Sequence, residues 1–242
     1  MVNIPETTHD PCPGDNISII IVAAGTGSRF GADVPKQFLM LDGKPVLQHT
    51  VERFRQALPA ARIVLVLSPV GLEIWSALCN KNGFHSPETV IGGATRSESV
   101  HNAIRLIARD ANSRSIVMIH DGARPLVAPE MILRVANAFA DTATEAVVPV
   151  VPLTEAITCH LPDGSCKPTD RGNFRTVQTP QAFRTLILDA AYTALDGQSM
   201  PDDAAIYHSF TGKALRTVDG DIRNIKITNP ADLAIAGLLM KK

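Results

Sequence analysis

Four short apolar runs, rich in Ile and Val, constrain the fold of this chain more than any other feature. They are ISIIIV, which ends at residue 22, and RIVLVL (62–67), SIVMI (115–119) and EAVVPVV (145–151). Their apolar residues are continuous instead of alternating, which is typical of strands that are covered on both faces. The runs therefore predict a parallel β-sheet with helices on each side.

Segments of helical period lie between these runs. Residues 44–58, 95–110 and 129–141 carry apolar side chains three and four positions apart, as expected of right-handed crossover helices. Capping signals occur at two predicted helix starts: Thr95 with Glu98, and Asn229 with Pro230 and Asp232. The alternation predicts an α/β fold: one doubly wound, mostly parallel, Rossmann-like domain over residues 17–242.

Residues 152–175 interrupt this pattern. Short β-like pieces there flank the turn sequence PDGS, which predicts a protruding β-hairpin arm. An arm of this size cannot bury its own apolar residues, so we expect it to pack on a second copy of the chain in a homodimer. The alternative is a flap that covers the chain's own active site.

The charge balance and the first residues of the chain indicate its expected partners and compartment. With 23 Lys and Arg against 24 Asp and Glu, no global field favours nucleic acid or an anionic membrane as a partner. Residues 1–16 lack the basic start and apolar stretch of a secretory signal, and we expect a disordered leader and a cytoplasmic protein. The scattered cysteines are expected to be free thiols: Cys12, Cys79, Cys159 and Cys166.

The loop AAGTGSRFGADVPKQF, residues 23–38, follows the first predicted strand. Gly25 and Gly27 would let backbone N–H groups approach a phosphate without Cβ obstruction. The dinucleotide fingerprint requires a third glycine where Phe30 stands, and the ATPase loop requires a GK pair followed by Ser or Thr, which is absent. Arg29 and Lys36 add two cations, so the loop suits a triphosphate. The alternative is a plain strand-to-helix turn with solvated cations.

Five further blocks follow the loop in order: GGATRSESV (92–100), IHDGARPLV (119–127), VQTPQAF (177–183), DDAAI (202–206) and NIKITNPADLAIA (224–236). Together with the loop, these blocks resemble the nucleotidyltransferase family that joins CTP to a polyol phosphate, in particular its methylerythritol phosphate branch. The resemblance extends from about residue 17 to 240. It implies the α/β fold predicted above, with an arm that interlocks two subunits.

The resemblance also implies a reaction. The phosphate of 2-C-methyl-D-erythritol 4-phosphate would attack the α-phosphorus of CTP, and pyrophosphate would depart, as a step of non-mevalonate isoprenoid biosynthesis. The nucleophile is already an anion, so the chemistry needs alignment, charge neutralisation and a metal ion instead of a strong base. Within the same class, ribitol 5-phosphate is the alternative acceptor.

Roles for individual residues follow from the matched blocks. Catalytic cations would be Arg29, Lys36 and Lys226, the last at the end of a predicted strand. Nucleotide contacts would come from Ala23, Ala24, Gly25, Thr26, Gly27, Gly92, Gly93, Ala94 and Ser99. The substrate-binding set would be Asp121, Arg124, Arg171 and Thr179, with Arg171 presented across the dimer.

Asp121 stands at the carboxyl end of a predicted strand, where open α/β sheets place their ligands. A carboxylate facing a triphosphate would be repelled unless a divalent cation lay between them, so Asp121 is also the predicted Mg²⁺ ligand. The alternative is a turn former in DGARP. The neighbouring His120 is interpreted as structural, because no step requires an imidazole.

One segment departs from the family pattern. Members commonly show Pro-Val-x-Asp followed by Thr or Ser, whereas PLTEAI places Glu155 and Ala156 at the last two of these positions. A hydroxyl near the acceptor would then have to come from Thr154 or Thr158.

Two other classes of protein remain as alternatives. A dinucleotide-binding oxidoreductase would need the missing glycine and an acidic residue about twenty positions on, where Glu52 is the nearest and is interpreted as a helix-surface charge. A nucleotide-binding regulator without turnover would not need Arg29, Lys36, Asp121 and Lys226 together.

Overall fold

The computed structural model describes residues 16–25, 34–198 and 200–241. Its strands are, in chain order, β1 (Ile17–Val22), β2 (Met40–Leu41), β3 (Lys44–Pro45), β4 (Arg62–Leu67), β5 (Glu88–Ile91), β6 (Ile116–Asp121), β7 (Ala146–Pro152), β8 (Ile157–His160), β9 (Cys166–Thr169), β10 (Arg175–Val177), β11 (Gln181–Arg184) and β12 (Arg216–Asp219). Its α-helices are α1 (Val46–Ala57), α2 (Pro69–Asn82), α3 (Arg96–Ala108), α4 (Pro129–Asn137), α5 (Thr185–Ala194), α6 (Asp203–Thr211) and α7 (Pro230–Met240).

The main sheet has eight strands, and the order along it is β10-β7-β11-β6-β1-β4-β5, with β12 also paired to β7. Strands β6, β1, β4 and β5 are mutually parallel, as are β7 and β12. Strand β11 is antiparallel to both β6 and β7, and β10 is antiparallel to β7. All four apolar runs form strands of this sheet, which confirms the predicted largely parallel α/β fold.

Helices cover both faces of the sheet because successive strand residues point to opposite sides. In β1, Ile19 and Ile21 pack into a core with α1, α2 and α4, whereas Ile20 packs into a second core with α3, α5 and α6. The strands are therefore buried on both faces, which explains their continuous apolar sequence.

The predicted capping residues occupy helix starts. Asn229 accepts a hydrogen bond from the backbone N–H of Asp232, which in turn accepts one from the N–H of Asn229, so α7 begins with a complete capping box. At α3 the Thr95 hydroxyl accepts from the N–H of Glu98, but the Glu98 carboxylate accepts from the N–H of Ala94. Both helices start where the sequence indicated.

The segment 152–175 contains a small hairpin. Strands β8 and β9 form a separate two-stranded antiparallel sheet, in which His160 is opposite Cys166. Cys79, Cys159 and Cys166 are free thiols, and Cys12 lies outside the described residues. Whether the hairpin reaches a second copy of the chain stays a prediction.

Two expectations about the chain's ends and one about a strand have different outcomes. Residues 1–15 of the predicted leader lie outside the described residues. None of the described helices has both the length and the apolar character that crossing a membrane requires. The strand predicted to end at Lys226 is wrong: residues 224–228 are irregular and are attached through the Ile227 N–H, which donates to the Ala123 carbonyl.

Candidate active site

A cavity of about 480 Å³ opens at the carboxyl ends of β1 and β6. The chain passes from β1 through β4 to β5 on one side and then returns to place β6 on the other side of β1. This reversal is a topological switch point, where open α/β sheets bind ligands. The lining residues are Val22, Ala23, Ala24, Gly25, Lys36, Gln37, Ser68, Gly93, Ala94, Thr95, Arg96, Ser99, Asp121, Ala123 and Lys226.

The segment after β1 is held by Gln37. This side chain is buried in a short 3₁₀ turn, Lys36–Phe38, and its amide nitrogen donates to the carbonyls of Ala23 (2.8 Å) and Gly25 (3.0 Å). With its carbonyls fixed, the backbone after β1 is held at one wall of the cavity next to Lys36. The sequence carries no signal for this role of Gln37, because a glutamine inside a phosphate-binding loop has no characteristic spacing from its partners.

Glycines 92 and 93 allow α3 to approach the end of β1 closely. A Cβ added at Gly92 would lie 2.7 Å from the Ala24 Cβ and 2.8 Å from the Ser99 Oγ, and one at Gly93 would overlap the Glu98 side chain. The Gly93 N–H donates to the Ser99 hydroxyl at 3.0 Å. The small residues predicted to hold the base thus form one compact wall beside the start of α3.

Replacing Gly92 by alanine is expected to weaken CTP binding by roughly 10-fold or more, because the added Cβ must displace Ala24 or Ser99, both of which line the cavity. The measurement is isothermal titration calorimetry with CTP. Gly237→Ala is the control, since its Cβ would meet Leu41 at an ordinary 3.7 Å. Unchanged CTP affinity in Gly92→Ala would show that this wall does not contact the nucleotide.

Asp121 is the acidic centre of the site. Its Oδ2 lies 3.0 Å from the Nζ of Lys226 and 3.1 Å from the Nε of Arg124, and Asp121 itself is buried. Arg124 also donates to the Asn224 carbonyl at 2.8 Å, which attaches the irregular segment around Lys226 to the end of β6. Tertiary contacts therefore bring together three residues that the sequence predicted for this site.

The charge state of Asp121 follows from these neighbours. Burial alone would raise the pKa of the Asp121 carboxyl, but Lys226, Arg124 and Arg96 together lower it well below its usual range. Asp121 is consequently an anion at any pH at which the protein would be assayed. It can attract a cation or orient Lys226, but it cannot act as a proton donor.

Thr179 and His120 form a series of hydrogen bonds next to Asp121. The Thr179 hydroxyl accepts from the Asp121 N–H at 3.2 Å and lies 3.0 Å from the Nδ1 of His120, whose Nε2 lies 3.2 Å from the Arg124 carbonyl. With the Nε2 proton donated to that carbonyl, Nδ1 accepts from Thr179. The Thr179 hydroxyl is therefore engaged inside the protein, and His120 is structural in its contacts.

Folding stability is expected to fall as the pH drops from about 6.5 to about 4, in part through His120. Burial lowers the pKa of His120 from 6.5 to about 4, so within this window the unfolded chain binds a proton that the folded chain does not. The contribution of His120 is about 2 to 3 kcal/mol. Urea denaturation at several pH values should show a shallower dependence in His120→Gln than in the wild type. An equal change in slope for the exposed control His85→Gln would refute the assignment.

A second cavity, of about 400 Å³, adjoins the first, and Lys226 lines both. Arg124, Thr154 and Glu155 are among its lining residues, whereas Thr158 is not. Of the two hydroxyls considered for the acceptor end, the structure thus places Thr154 at a cavity. Arg171 lines neither cavity and donates a hydrogen bond to the Thr154 carbonyl.

The predicted site residues thus fall into four groups. One cavity collects Ala23, Ala24, Gly25, Lys36, Gly93, Ala94, Ser99, Asp121 and Lys226. Adjacent to it are Gly92, Arg124 and Thr179, while Arg171 lies on the hairpin side. Thr26, Gly27 and Arg29 lie outside the described residues. Glu52, on α1, forms an ion pair with Lys44 of β3 and lines neither cavity, as expected of a helix-surface charge.

Among the described residues that line the first cavity, Asp121 is the one carboxylate available to a divalent cation. No group of three or more His, Cys, Asp or Glu side chains suited to a metal occurs in residues 16–25, 34–198 and 200–241. Mg²⁺, however, is usually bound through one or two carboxylates together with substrate phosphates and water. The buried, ionised Asp121 at the wall of a cation-rich cavity fits that mode of binding.

Fold and cavity together define an α/β protein of the nucleotide-binding class, with its ligand site at the switch point between β1 and β6. A family model described as IspD, 2-C-methyl-D-erythritol 4-phosphate cytidylyltransferase, matches residues 17–242. The chain belongs to this family, whose members are nucleotidyltransferases.

Individual relatives agree with the family model. A 2-C-methyl-D-erythritol 4-phosphate cytidylyltransferase from Porphyromonas gingivalis is 42% identical over 224 residues, covering 91% of this chain and 96% of that protein. One from Cereibacter sphaeroides is 41% identical over 221 residues, covering 91% and 95%. The crystal structure of 4-diphosphocytidyl-2C-methyl-D-erythritol synthase from Anaerococcus prevotii is 25% identical, with a TM-score of 0.77 and coverage of 95% and 100%. These comparisons do not favour the ribitol phosphate alternative.

Proposed function

We propose that this chain transfers the CMP group of CTP to 2-C-methyl-D-erythritol 4-phosphate, in isoprenoid biosynthesis. The products are 4-diphosphocytidyl-2-C-methyl-D-erythritol and pyrophosphate. The observation that carries the proposal is the junction of two cavities at Lys226, beside the ion pair with Asp121, in a member of this family. One cavity suits the nucleotide and the other suits the phosphorylated acceptor.

The first cavity would bind CTP. Backbone groups of residues 23–25 would approach the phosphates, and Gly92, Gly93, Ala94 and Ser99 would surround the base. Small residues and a close helix approach favour a pyrimidine, since a purine needs more room at the same wall. The triphosphate would then extend toward Lys36 and Lys226, which line the same cavity.

The acceptor would lie in the second cavity, where its phosphate can meet the α-phosphorus near Lys226. A phosphate oxygen of the acceptor forms the new bond to that phosphorus. The bond from the α-phosphorus to the oxygen shared with the β-phosphorus breaks, and pyrophosphate leaves with that oxygen. Arg29, Lys36 and Lys226 neutralise the charge that develops, and Arg124 orients the acceptor phosphate. Thr179 contributes by holding Asp121, because its own hydroxyl is already hydrogen-bonded.

Magnesium is the proposed divalent cation, held by Asp121 together with the triphosphate. It would supply charge neutralisation and help to orient the phosphates. Asp121 itself is kept ionised by Lys226 and Arg124, so it can bind a cation without first losing a proton. We place the reaction in the cytoplasm, since both substrates are highly charged small molecules.

The test of function uses the purified protein with CTP, MgCl₂ and one acceptor at a time, and pyrophosphate release is measured. We expect turnover with 2-C-methyl-D-erythritol 4-phosphate and little with ribitol 5-phosphate. Turnover with ribitol 5-phosphate alone would overturn the choice of acceptor. Binding of CTP without pyrophosphate release for either acceptor would indicate a regulator instead of an enzyme.

We also propose that the chain is a homodimer joined through the hairpin of β8 and β9. Large apolar side chains in this region are exposed, namely Leu161, Phe174 and Val177, and β8 and β9 pair only with each other among the described strands. A second subunit would cover these side chains and bring Arg171 to the acceptor, where its fork can bind phosphate.

Sedimentation velocity at micromolar concentration is expected to show a dimer, and Phe174→Asp is expected to shift it toward monomer. Leu238→Asp is the control, since Leu238 is an exposed apolar residue on α7, outside the hairpin. A monomeric wild type would contradict the arm and leave Arg171 without its proposed role.

A further inference from the structure

Arg96 is a further cation in the wall of the nucleotide cavity. It is the first residue of α3 and lies between two cavities: the nucleotide cavity, which Lys36 and Lys226 also line, and a cavity of about 440 Å³ that Tyr192 also lines. Its Nη1 and Nη2 donate to the two carboxylate oxygens of Asp203, the first residue of α6, at 2.9 and 2.7 Å. The guanidinium is therefore held in one place by a residue distant in the sequence.

Asp203 is fully buried, and the Tyr192 hydroxyl of α5 also donates to it. A buried ion pair is weak evidence for stability, because the desolvation penalty can exceed the attraction between the charges. Apolar residues at both positions would join α3 to α6 at least as well. The pair also immobilises one edge of the guanidinium, in a side chain that is 34% exposed as a whole.

The geometry of the pair leaves donors available. An arginine carries five N–H groups, and the two bonds to Asp203 use two of them. No other hydrogen bond from this guanidinium occurs within residues 16–25, 34–198 and 200–241. A guanidinium fixed on one side and open on the other suits bidentate binding of a phosphate.

The charges along the cavity wall indicate which end of the nucleotide Arg96 faces. Asp121 is the single acid among the described lining residues, against the cations Lys36, Arg96 and Lys226. Arg96 lies close enough to Asp121 to contribute to the lowered pKa of that carboxyl, after the larger effects of burial, Lys226 and Arg124. Arg96 shares the wall of this cavity with Lys36, Asp121 and Lys226, toward which the triphosphate is proposed to extend.

We propose that Arg96 is a further substrate-binding residue, which contacts the triphosphate of the nucleotide, and that Asp203 is the residue that positions it. This inference rests on the proposed function, since it takes CTP as the ligand of the cavity. Tyr192 donates to the same Asp203 oxygen as the Nη1 of Arg96, so it helps to hold the carboxylate and has no direct role in binding.

The experiment compares CTP with cytidine, which lacks the phosphates, by isothermal titration calorimetry. Arg96→Lys keeps the charge and can still pair with Asp203. A lysine ammonium, however, lacks the planar pair of N–H groups with which arginine can bind two phosphate oxygens. We expect it to weaken CTP binding roughly 10- to 100-fold, as for the loss of a charge-assisted hydrogen bond. Cytidine affinity should stay within about twofold, and in steady state KM for CTP should rise more than kcat falls.

Asp203 is tested by a double-mutant cycle. Asp203→Asn should weaken CTP binding in the wild type but have little further effect in the Arg96→Gln protein, where no cation is left for Asp203 to position. Arg96→Gln combined with Asp203→Asn replaces the ion pair with neutral amides, so it should fold even if Asp203→Asn alone does not, and it should also lose CTP affinity selectively. Tyr207→Phe is the matched control, since it removes a tyrosine hydrogen bond to a carboxylate outside this cavity, that of Glu145, and should leave CTP affinity unchanged. Melting temperatures are recorded for every variant.

Equal losses of CTP and cytidine affinity would overturn the proposal, because they would mean that Arg96 only shapes the pocket. An Asp203→Asn effect of the same size in both backgrounds would overturn the positioning role. The wild-type assay separates this inference from the proposed function: if CTP binds but pyrophosphate is never released, the proposed function fails while the binding measurements still decide the role of Arg96.

Discussion

Replacing Lys226 by methionine is expected to lower kcat for pyrophosphate release about 100- to 1,000-fold, the loss seen when one preorganised charge-stabilising donor is removed. Lys226 lies where the two cavities meet, and its Nζ is 3.0 Å from the Asp121 carboxylate. Its ammonium is thus held near the place where the α-phosphorus would react. Methionine has a similar length and no charge, so the substitution removes mainly the electrostatic contribution.

Lys44→Met is the matched control for this experiment. Lys44 also pairs with a carboxylate, that of Glu52 at 2.7 Å, and its side chain is 46% exposed compared with 40% for Lys226. It lines neither cavity. Full activity in Lys44→Met with a large loss in Lys226→Met would attribute the effect to position. A Lys226→Met enzyme within threefold of the wild type would remove Lys226 from the reaction.

Asp121→Asn is expected to reduce kcat at least about 100-fold and to raise the Mg²⁺ concentration for half-maximal activity roughly 10- to 100-fold. The carboxylate is the proposed metal ligand and also accepts from Lys226 and Arg124. An amide of the same size has no charge to offer to either the cation or the two basic side chains. The measurement is a Mg²⁺ titration of pyrophosphate release at saturating CTP.

Asp121→Asn should also destabilise the folded protein by about 1 to 3 kcal/mol, since Asp121 is buried and two cations would lose their partner. Asp141→Asn is the control, because that carboxylate pairs with Arg216 at 3.5 Å on the surface. A shift in the Mg²⁺ requirement is what distinguishes a metal ligand from a structural acid. Loss of stability with an unchanged Mg²⁺ dependence would assign Asp121 to the fold alone.

Local sequence determined the framework of this protein. Continuous apolar runs predicted β1, β4, β6 and β7, because a strand buried on both faces must be apolar at every position. The caps of α3 and α7 were readable for a similar reason, since the capping side chain and its partner N–H are only three residues apart. The antiparallel strands β10 and β11 had no such signal, because three or four residues carry too little periodicity.

The family blocks indicated which residues to expect at the site, but not how they are held. The segment that ends at Lys226 was predicted to be a strand, yet it pairs with no strand in the described structure and is held by contacts to Ala123, Arg124 and Thr179. The hydroxyl of Thr179, which stays a predicted substrate-binding residue, is hydrogen-bonded to Asp121 and His120. Both arrangements depend on contacts between distant parts of the chain.

The sequence by itself therefore determined the fold class, the order of the main elements and the residue types available for phosphate chemistry. Only the tertiary structure decided which distant residues meet: Lys226 with Asp121, and Arg96 with Asp203, 107 residues away. The physical reason is that strand burial and helix capping involve residues close together in the chain. They therefore leave a short-range pattern in the sequence. Ion pairs across the switch point depend instead on how the strands are ordered in the sheet, and strand order leaves no local pattern to read.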